Sequence, residues 1–156
     1  NQLDKNRYHD DLVKLIKKLV RKDLFHLKNS YKTSEDVICD LCDELIEKGL
    51  ASKDYKEDVL KRESVSATSF VYGFAVPHSI SVSTNESCIS VLILDKPVQW
   101  GDFEVKLVIL LAIRDTDNKL LRHFFEWLSN IVTDSNKFKQ MLELKSYEEF
   151  VELVCN

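Results

Sequence analysis

One histidine stands directly after a short apolar segment, in a position where its imidazole could do chemistry. Phe74-Ala75-Val76 is followed by Pro77 and His78. Proline has no backbone N–H to donate to a strand ladder, so we expect the chain to leave the sheet at Pro77 and to present His78 at the sheet edge. A neutral imidazole, with an ordinary pKa of about 6.5, can accept a proton or attack phosphorus. An ordinary hydrogen-bonded histidine is the competing interpretation.

Three polar residues could assist a phosphoryl transfer at His78. Such a reaction depends mainly on positioning and on positive or N–H groups around the moving charge. Arg62, sixteen residues before His78, is predicted to be a fixed cation at a helix end, where it could equally be a surface charge favoured by the helix dipole. Thr68 supplies a hydroxyl for the site or for a turn. Ser79 adds a hydroxyl and a backbone N–H beside the histidine as support for a phosphoryl group.

Other reaction types fit the sequence less well. A hydrolase elbow of the form Gly-x-Ser-x-Gly is absent, and the three glycines of the chain supply no phosphate-binding loop. The histidines show no i, i+4 pairing of the kind that binds metals; they are His9, His26, His78 and His123. The sequence therefore predicts covalent phosphorylation of His78, with neither a metal ion nor a cofactor.

The cysteines are predicted to pack in the interior. Cys39, Cys42, Cys88 and Cys155 lie within periodic apolar patterns, and no signal-peptide pattern is seen. Cys39-x-x-Cys42 lacks a second Cys or His pair at zinc-ligand spacing, which leaves a metal or redox role as the minor alternative. Reduced thiols are typical of a cytoplasmic protein, so we expect a cytoplasmic location.

The composition indicates one soluble domain. The chain has 156 residues, of which 44% are apolar and 31% charged, with a formal net charge of −4 and a pI near 5.6. An acidic chain without clustered Lys and Arg argues against direct contact with nucleic acid. The longest uncharged apolar run, residues 107–113, is too short to cross a bilayer, so no membrane insertion is expected. The oligomeric state is left open.

Apolar periodicity predicts three helices before the histidine segment. The first is amphipathic and spans about residues 8–22. The second begins after a Thr33 cap and ends at Gly49. The third begins after a Ser52 cap and carries Arg62 in its last turn.

Strands and further helices follow around and after the histidine. The predicted strands are an edge strand at about 23–27 and core strands at 74–76, 88–94 and 105–113, with a loop at 79–87 and a turn at 97–102. Three helices then begin after caps at 115–117, at about residue 137, and at the capping box that starts with Ser146. This order predicts an α/β three-layer sandwich, in which a small mixed sheet is flanked by helices on both faces.

Several of these residues together resemble a known family signature. The segment Val59–Glu63, then Thr68, then Gly73-Phe74-Ala75-Val76-Pro77-His78, resembles the fructose/mannitol-type (type-2) IIA domains of the bacterial phosphotransferase system. The resemblance runs from about residue 23 to the end and includes Lys96-Pro97-Val98-Gln99-Trp100. It implies an N-terminal amphipathic helix or linker at 1–22 and a IIA-like domain at 23–156.

The resemblance also implies what the site does. Its histidine would accept a phosphoryl group from the carrier protein HPr and pass it to a IIB domain. By motif, His78 is the acceptor through Nε2, Arg62 neutralises the phosphoryl oxygens, and Thr68 supports the loop. We expect an apolar docking patch for HPr near His78, with Phe74, Ile80 and Trp100 as its predicted members.

Two positions depart from the family pattern. Ser79 stands where many members have glycine after the histidine. Transport members often have a second active-site histidine early in the helix after the long strand, and this position is Leu121 here. His123 is close in sequence but about 200° away around a helix, so we expect it to face elsewhere.

Three functions stay in competition. The pattern from Arg62 to Thr68, with Lys-Pro-x-x-Trp later, is similar to the C-terminal IIA-like domain of transcriptional antiterminators and activators that carry PTS regulation domains. The chain begins with Asn rather than Met, which is expected of a domain excised from such a longer protein. A regulatory phosphohistidine domain is therefore the first hypothesis. The alternatives are a transport IIA component, which would be a phosphotransferase-type carrier, and an interaction module that is not phosphorylated.

Overall fold

Six α-helices surround one five-stranded sheet in the computed structural model, which describes residues 1–80 and 84–156. The helices are α1 Gln2–Leu19, α2 Ser34–Glu47, α3 Tyr55–Val65, α4 Asn118–Val132, α5 Ser135–Leu142 and α6 Tyr147–Cys155. The strands are β1 Phe25–Lys28, β2 Ser69–Phe70, β3 Phe74–Ala75, β4 Cys88–Trp100 and β5 Phe103–Ala112. None of the helices in these described residues is both long enough and apolar enough to cross a membrane.

The sheet is mixed and has the order β1-β4-β5-β3-β2. The long strands β4 and β5 form an antiparallel hairpin, while β1 pairs parallel to β4 and β3 pairs parallel to β5. The short strand β2 runs antiparallel to β3 at the edge. The predicted central strand is therefore confirmed as β5, and the predicted first edge strand is confirmed as β1.

Alternate residues of the hairpin face two separate apolar layers. Ile89, Val91 and Ile93 of β4 contribute to the core on the side of α1, α4, α5 and α6. Leu92 and Leu94 contribute to the core on the side of α2 and α3. Because the strand period is two, one apolar run can fill both layers, and this confirms the three-layer sandwich predicted from the sequence.

Two helix starts confirm the caps that the sequence predicts. Thr33 Oγ1 accepts a hydrogen bond from the backbone N–H of Asp36 at 3.1 Å, and Ser146 Oγ accepts one from Glu149 at 3.1 Å. The first helix is longer than predicted at its start, because Asn1 Oδ1 accepts from the N–H of Asp4 at 3.0 Å and caps it. It also ends earlier, at Leu19.

Two predicted caps are wrong. Asp117 directly precedes α4, but its side chain makes no cap hydrogen bond and accepts the Ser87 hydroxyl at 2.5 Å instead. The helix α3 begins at Tyr55 after Asp54, and the side chain of Ser52 caps nothing there. The Ser52 backbone carbonyl instead accepts the N–H of Tyr55 at 3.1 Å.

The predicted turn at 97–102 is also wrong, because β4 continues to Trp100. The pairing of β4 with β5 shifts register between Ile93 and Val98, and this irregular segment accommodates Pro97, which has no N–H for a ladder. The hairpin turn is confined to Gly101 and Asp102, with Gly101 at a φ of +62°. The predicted loop at 79–87 includes Thr84, which bridges to Ala51, whereas residues 81–83 lie outside the described residues.

Asp23 joins a surface ion network beside β1. Its carboxylate accepts two hydrogen bonds from Arg21, at 2.9 and 2.6 Å, and lies 3.1 Å from Lys48 Nζ. The hydrogen bonds from Arg21, reinforced by Lys48, lower the pKa of Asp23 from its ordinary value to about 2. The network therefore favours the ionised carboxylate in the folded chain.

This network predicts a defined acid dependence of stability. Because the folded pKa of Asp23 lies below its unfolded value of about 3.8, its stabilising contribution is complete above pH 4 and disappears as the pH falls from about 4 to about 2. The contribution should stay below about 1 kcal/mol, since the ion pair is largely exposed to solvent. Urea unfolding of wild type and Asp23→Asn should differ at pH 6 and converge near pH 2. A difference that persists at pH 2 would contradict this assignment.

Candidate functional site

His78 lies beside the central strand, three residues beyond the end of β3. It forms an isolated parallel bridge with Leu111 of β5, and the N–H of Leu111 donates to the Pro77 carbonyl at 3.1 Å. The chain therefore does not leave the sheet at Pro77 as predicted. Proline lacks a donor, but its carbonyl still accepts, so the segment stays against β5 and holds the histidine backbone in place.

Leu111 is fixed from the other layer by Tyr55. The Tyr55 hydroxyl donates to the Leu111 carbonyl at 2.6 Å, and Tyr55 is fully buried at the start of α3. This burial raises the pKa of Tyr55 well above its ordinary value, so the phenol keeps its proton and remains a donor. The helix that contains Arg62 is thus tied to the strand segment beside His78.

The imidazole of His78 has a defined orientation. Its Nδ1 lies 2.8 Å from the Val76 carbonyl oxygen. A carbonyl only accepts hydrogen bonds, so Nδ1 must carry the proton in this contact. In the neutral ring the lone pair then belongs to Nε2, and this is the nitrogen that can act as a nucleophile.

A groove of about 470 Å³ brings the three predicted catalytic residues together. Arg62, Thr68 and His78 all line it. The rest of its wall is mostly apolar and comes from the 67–76 segment and from α4: Ala67, Ser69, Phe70, Tyr72, Phe74, Val76, Phe125, Leu128, Ser129 and Val132. A concave, largely apolar wall around one histidine and one arginine suits a reaction that must exclude water from a moving charge.

Arg62 is held at the edge of this groove by a backbone contact. It lies in the last turn of α3, and its Nη1 donates to the Ser66 carbonyl at 2.8 Å. The guanidinium has five N–H donors in a planar fork, which suits recognition of phosphoryl oxygens. The contact with Ser66 therefore orients a permanent positive charge at the groove.

Thr68 supports the loop rather than offering its hydroxyl to the groove. Its Oγ1 donates to Glu63 at 2.8 Å, its backbone N–H donates to the same carboxylate at 2.8 Å, and only 8% of the residue is exposed. Its carbonyl accepts the N–H of Val76 at 3.2 Å. The hydroxyl is thus engaged in local structure.

Glu63 was given no role by the sequence reasoning. Besides its bonds from Thr68, its carboxylate accepts the indole N–H of Trp100 at the end of β4. A charged residue in the last turn of an amphipathic helix is usually solvated, and the contact with Trp100 spans 37 residues of sequence. The position of Glu63 directly after Arg62 was therefore the only local feature of the sequence that could have pointed to a role for Glu63 at the site.

Ser79 points away from the groove. Its hydroxyl donates to the Asp58 carboxylate on α3, and the N–H of Ile80 donates to the same oxygen of Asp58 at 2.9 Å. Ser79 is absent from the residues that line the groove. Its hydroxyl anchors the segment after His78 to α3, and support of a phosphoryl group by Ser79 stays a prediction.

The predicted partner contacts need a correction. Trp100 is fully buried and donates to Glu63, so it has no surface to offer a partner; Phe74 is 4% exposed and reaches only the wall of the groove. Ile80, in contrast, is 73% exposed.

Sequence reasoning missed four other exposed apolar side chains near the groove, which are Phe70, Val71, Tyr72 and Phe125. Phe70, Tyr72 and Phe125 line the groove itself, and Val71 lies between two of them in sequence. We call these four residues together with Ile80 the apolar rim. Large apolar side chains are more often buried than exposed, and no local signal in the sequence marks Phe70, Val71, Tyr72 and Phe125 as surface residues.

Of the two α4 positions, His123 faces away from the groove as the helix geometry predicts, and Leu121 is not among the residues that line the groove. Leu121 is partly buried and packs on the core cluster that also contains Phe124 and Leu128. His123 faces another direction: it lines a separate groove beside α1, and its Nδ1 lies 3.9 Å from Glu126 Oε2. His123 therefore does not replace a second histidine at the His78 groove.

The thiols are buried or partly buried and unpaired, as predicted. Burial raises the pKa of Cys42 and of Cys88 to about 12, which keeps both protonated and unreactive at neutral pH. Within residues 1–80 and 84–156, no group of three or more His, Cys, Asp or Glu side chains is arranged to hold a metal ion.

The chain is similar in sequence to one protein family and to several known proteins. Residues 18–156 match the model of the family described as phosphoenolpyruvate-dependent sugar phosphotransferase system, EIIA 2. The probable licABCH operon regulator of Bacillus subtilis is 27% identical over 130 residues, which are 83% of this chain and 20% of that protein. The chain thus spans about a fifth of the length of this regulator.

A second relative is a transport component. The mannitol-specific phosphotransferase enzyme IIA component of Halalkalibacterium halodurans is 30% identical over 111 residues, which are 67% of this chain and 72% of that protein. Among solved structures, the Escherichia coli complex of mannitol enzyme IIA with phosphorylated enzyme IIB superposes with a TM-score of 0.76. That match has 20% sequence identity and covers 87% of this chain and 98% of the matched chain, so it establishes the shared fold.

Proposed function

The chain belongs to the EIIA 2 family of the phosphoenolpyruvate-dependent sugar phosphotransferase system, and on this premise we propose that it accepts a phosphoryl group from HPr on Nε2 of His78. The observation that carries the proposal is the 2.8 Å contact between His78 Nδ1 and the Val76 carbonyl, because it leaves the Nε2 lone pair for attack. The shared groove with Arg62 supports the same role.

The proposed step needs no base to remove a proton. The Nε2 lone pair attacks phosphorus, a P–N bond forms, and the bond from phosphorus to the leaving atom of the donor breaks. The imidazole gains positive character as it is phosphorylated. Throughout the step, the proton stays on Nδ1 and Nδ1–H donates a hydrogen bond to the Val76 carbonyl. Arg62, which lines the same groove as His78, would neutralise the charge on the phosphoryl oxygens.

The apolar rim is the surface on which we propose that HPr docks. Phosphoryl transfer between two proteins requires the donor to reach His78 directly, and three of the five rim residues, Phe70, Tyr72 and Phe125, are exposed side chains that line the groove of His78. Exposed aromatic side chains such as Phe70 and Tyr72 are typical of the centre of protein interfaces. This replaces the patch predicted from Phe74, Ile80 and Trp100, of which Ile80 is retained.

We favour a regulatory role for the phosphorylated domain, within a sugar-responsive transcriptional regulator in the cytoplasm. Two observations support it: the similarity to the licABCH operon regulator over 83% of this chain, and Leu121 at the position where transport members often have a second histidine. A transport IIA component that passes the phosphoryl group to a IIB domain is the second candidate. The similarity to the mannitol-specific IIA component favours that alternative.

Phosphorylation by HPr is the direct test. Incubation with phosphorylated HPr should add one phosphoryl group to the wild-type chain, seen as a single mass increase by intact mass spectrometry. The His78→Ala variant should gain none. His123→Ala is the matched control, because it removes an exposed histidine outside the groove, and it should be phosphorylated like wild type. If wild type stays unmodified, the proposed function is wrong and an unphosphorylated interaction module is favoured. If His78→Ala gains the phosphoryl group, His78 is not the acceptor and the proposed site is wrong.

Onward transfer separates the two roles. The phosphorylated chain, isolated and mixed with the IIB domains encoded by the same organism, should keep its phosphoryl group for much longer than a transport IIA control. Rapid and complete transfer to one IIB would overturn the regulatory role in favour of the transport component.

A further inference from the structure

Glu63 connects three parts of the protein at the wall of the groove. Its Oε1 accepts the backbone N–H of Thr68 at 2.8 Å and the indole N–H of Trp100, and its Oε2 accepts the Thr68 hydroxyl at 2.8 Å. Trp100 is fully buried and Thr68 nearly so. The carboxylate of α3 is thus enclosed by donors from the loop that follows α3 and from the end of β4.

From Glu63 a continuous hydrogen-bond chain leads to the reactive ring. The Thr68 carbonyl accepts the N–H of Val76 at 3.2 Å, and the Val76 carbonyl in turn lies 2.8 Å from Nδ1 of His78. Thr68 and Val76 are each held on both sides, by the backbone N–H and by the carbonyl of the same residue. The position of the acceptor for Nδ1 therefore depends on where Thr68 is fixed, and Thr68 is fixed by Glu63.

The same loop is fastened to the hairpin at two more points. Ser69 Oγ donates to the Trp100 carbonyl at 2.5 Å, and Ala67 lies so close to Gly101 that an added Cβ there would come within 2.6 Å of the Ala67 Cβ. Ala67, Thr68 and Ser69 all line the groove. The end of the β4–β5 hairpin thus packs against the loop that forms this wall of the groove. The side chain of Glu63 joins the same loop to α3, the helix that contains Arg62.

We propose that Glu63 is a positioning residue of the phosphoryl-acceptor site, which acts through Thr68 and Val76 to set the ring orientation and the tautomer of His78. The consequence for phosphoryl transfer rests on the proposed function, whereas the effect on the ring does not. Glu63 touches neither the ring nor the phosphoryl group. Its carboxylate acts by offering hydrogen-bond acceptors at fixed positions, since the three groups that bond to it are all donors.

Two variants separate geometry from charge. Glu63→Gln keeps a carbonyl oxygen for the N–H of Thr68 and for Trp100, and its NH₂ meets the Thr68 hydroxyl, which can accept as well as donate. We expect it to behave like wild type within about threefold in phosphorylation rate. Glu63→Ala removes the acceptor and should lower the rate by about tenfold to a hundredfold, the range expected when a reacting group is misplaced by about 1 Å.

The tautomer of His78 is the readout that a merely structural role would not change. In ¹⁵N-histidine-labelled protein at about pH 8.5, about two units above the ordinary pKa of a histidine side chain, long-range ¹H–¹⁵N spectra should show the Nδ1–H form alone in wild type and in Glu63→Gln. Glu63→Ala should show a mixture of the two tautomers. Ser90→Ala is the matched stability control, because it deletes a buried hydrogen bond, to the Leu24 carbonyl, outside the hydrogen-bond chain; it should keep the wild-type tautomer.

Glu63→Asp is a second test if Glu63→Ala does not fold. Its carboxylate is withdrawn by about 1.5 Å, so it cannot reach Thr68 and Trp100 together, and we expect a detectable second tautomer. A wild-type tautomer and rate in the folded Glu63→Ala or Glu63→Asp variant would overturn the positioning role. A tautomer change in a domain that HPr does not phosphorylate would retain that role and reject the proposed function alone.

Discussion

Replacing Arg62 with alanine is expected to slow phosphorylation of His78 by about a hundredfold or more, with little loss of stability. Removing one preorganised charge-stabilising group from a phosphoryl or acyl transfer site typically costs a factor of this size. The side chain is only half-buried, and within residues 1–80 and 84–156 it makes one hydrogen bond, to the Ser66 carbonyl. Its loss should therefore change the free energy of unfolding by less than about 1 kcal/mol.

The control for this variant is Lys61→Ala, which removes the neighbouring exposed cation of α3. Stopped-flow or quench measurements with saturating phosphorylated HPr give the rate, and urea unfolding gives the stability. Lys61→Ala should keep the wild-type rate, since Lys61 does not line the groove. A large fall in stability of Arg62→Ala with a normal phosphorylation rate would mean that Arg62 is a structural residue.

Gly101→Ala is expected to be costly for both stability and phosphorylation. The φ of Gly101 is +62°, which costs a residue with a side chain about 1–2 kcal/mol. The new Cβ would also lie 2.6 Å from the Ala67 Cβ, and relieving that overlap should cost about 1–3 kcal/mol more. Because Ala67 lines the groove, the displaced loop should slow phosphorylation by about tenfold.

Gly49→Ala provides a closely matched comparison. Gly49 has a φ of +71°, so it bears the same backbone strain, but an added Cβ would meet nothing within 4 Å. It should lose only the strain energy and keep the wild-type phosphorylation rate. Equal losses of stability in the two variants, with equal rates, would show that the close approach of Gly101 to Ala67 does not position the groove.

The elements that the sequence predicted well are those with a strong local period. The second helix has a Thr33 cap and an apolar stripe that includes Val37 and Leu41, and both features depend on residues within a few positions of each other. The continuous apolar run of β5 likewise predicts a strand covered on both faces, and β5 is the middle strand of the sheet.

The prediction failed where tertiary contacts override local signals. Pro97 and the Trp100-Gly101-Asp102 segment favoured a turn, but a register shift against β5 lets the strand continue to Trp100. Trp100 was expected at the surface, but it is buried, and its indole N–H donates to Glu63, which lies 37 residues earlier in the sequence. Nothing local to either residue specifies that contact.

The site could be predicted in part. The types and spacing of Arg62 and His78 were sufficient to propose phosphoryl chemistry, and the structure places both on one groove. The choice of nitrogen came from the resemblance alone until the bond from Nδ1 to Val76 supplied a physical reason for it. The apolar rim could not be predicted, because Phe70 and Phe125 fit strand and helix patterns as well as buried residues do.

The measurement that tests the central claim most directly is the assignment of the phosphorylated nitrogen. The ¹⁵N-histidine-labelled chain is treated with phosphorylated HPr, and ³¹P couplings and long-range ¹H–¹⁵N spectra are recorded at alkaline pH, where phosphohistidine is long-lived enough for NMR. Phosphorus should be attached to Nε2 of His78, with the proton retained on Nδ1 opposite the Val76 carbonyl. Phosphorus on Nδ1 of His78, or on His9, His26 or His123, would contradict the account.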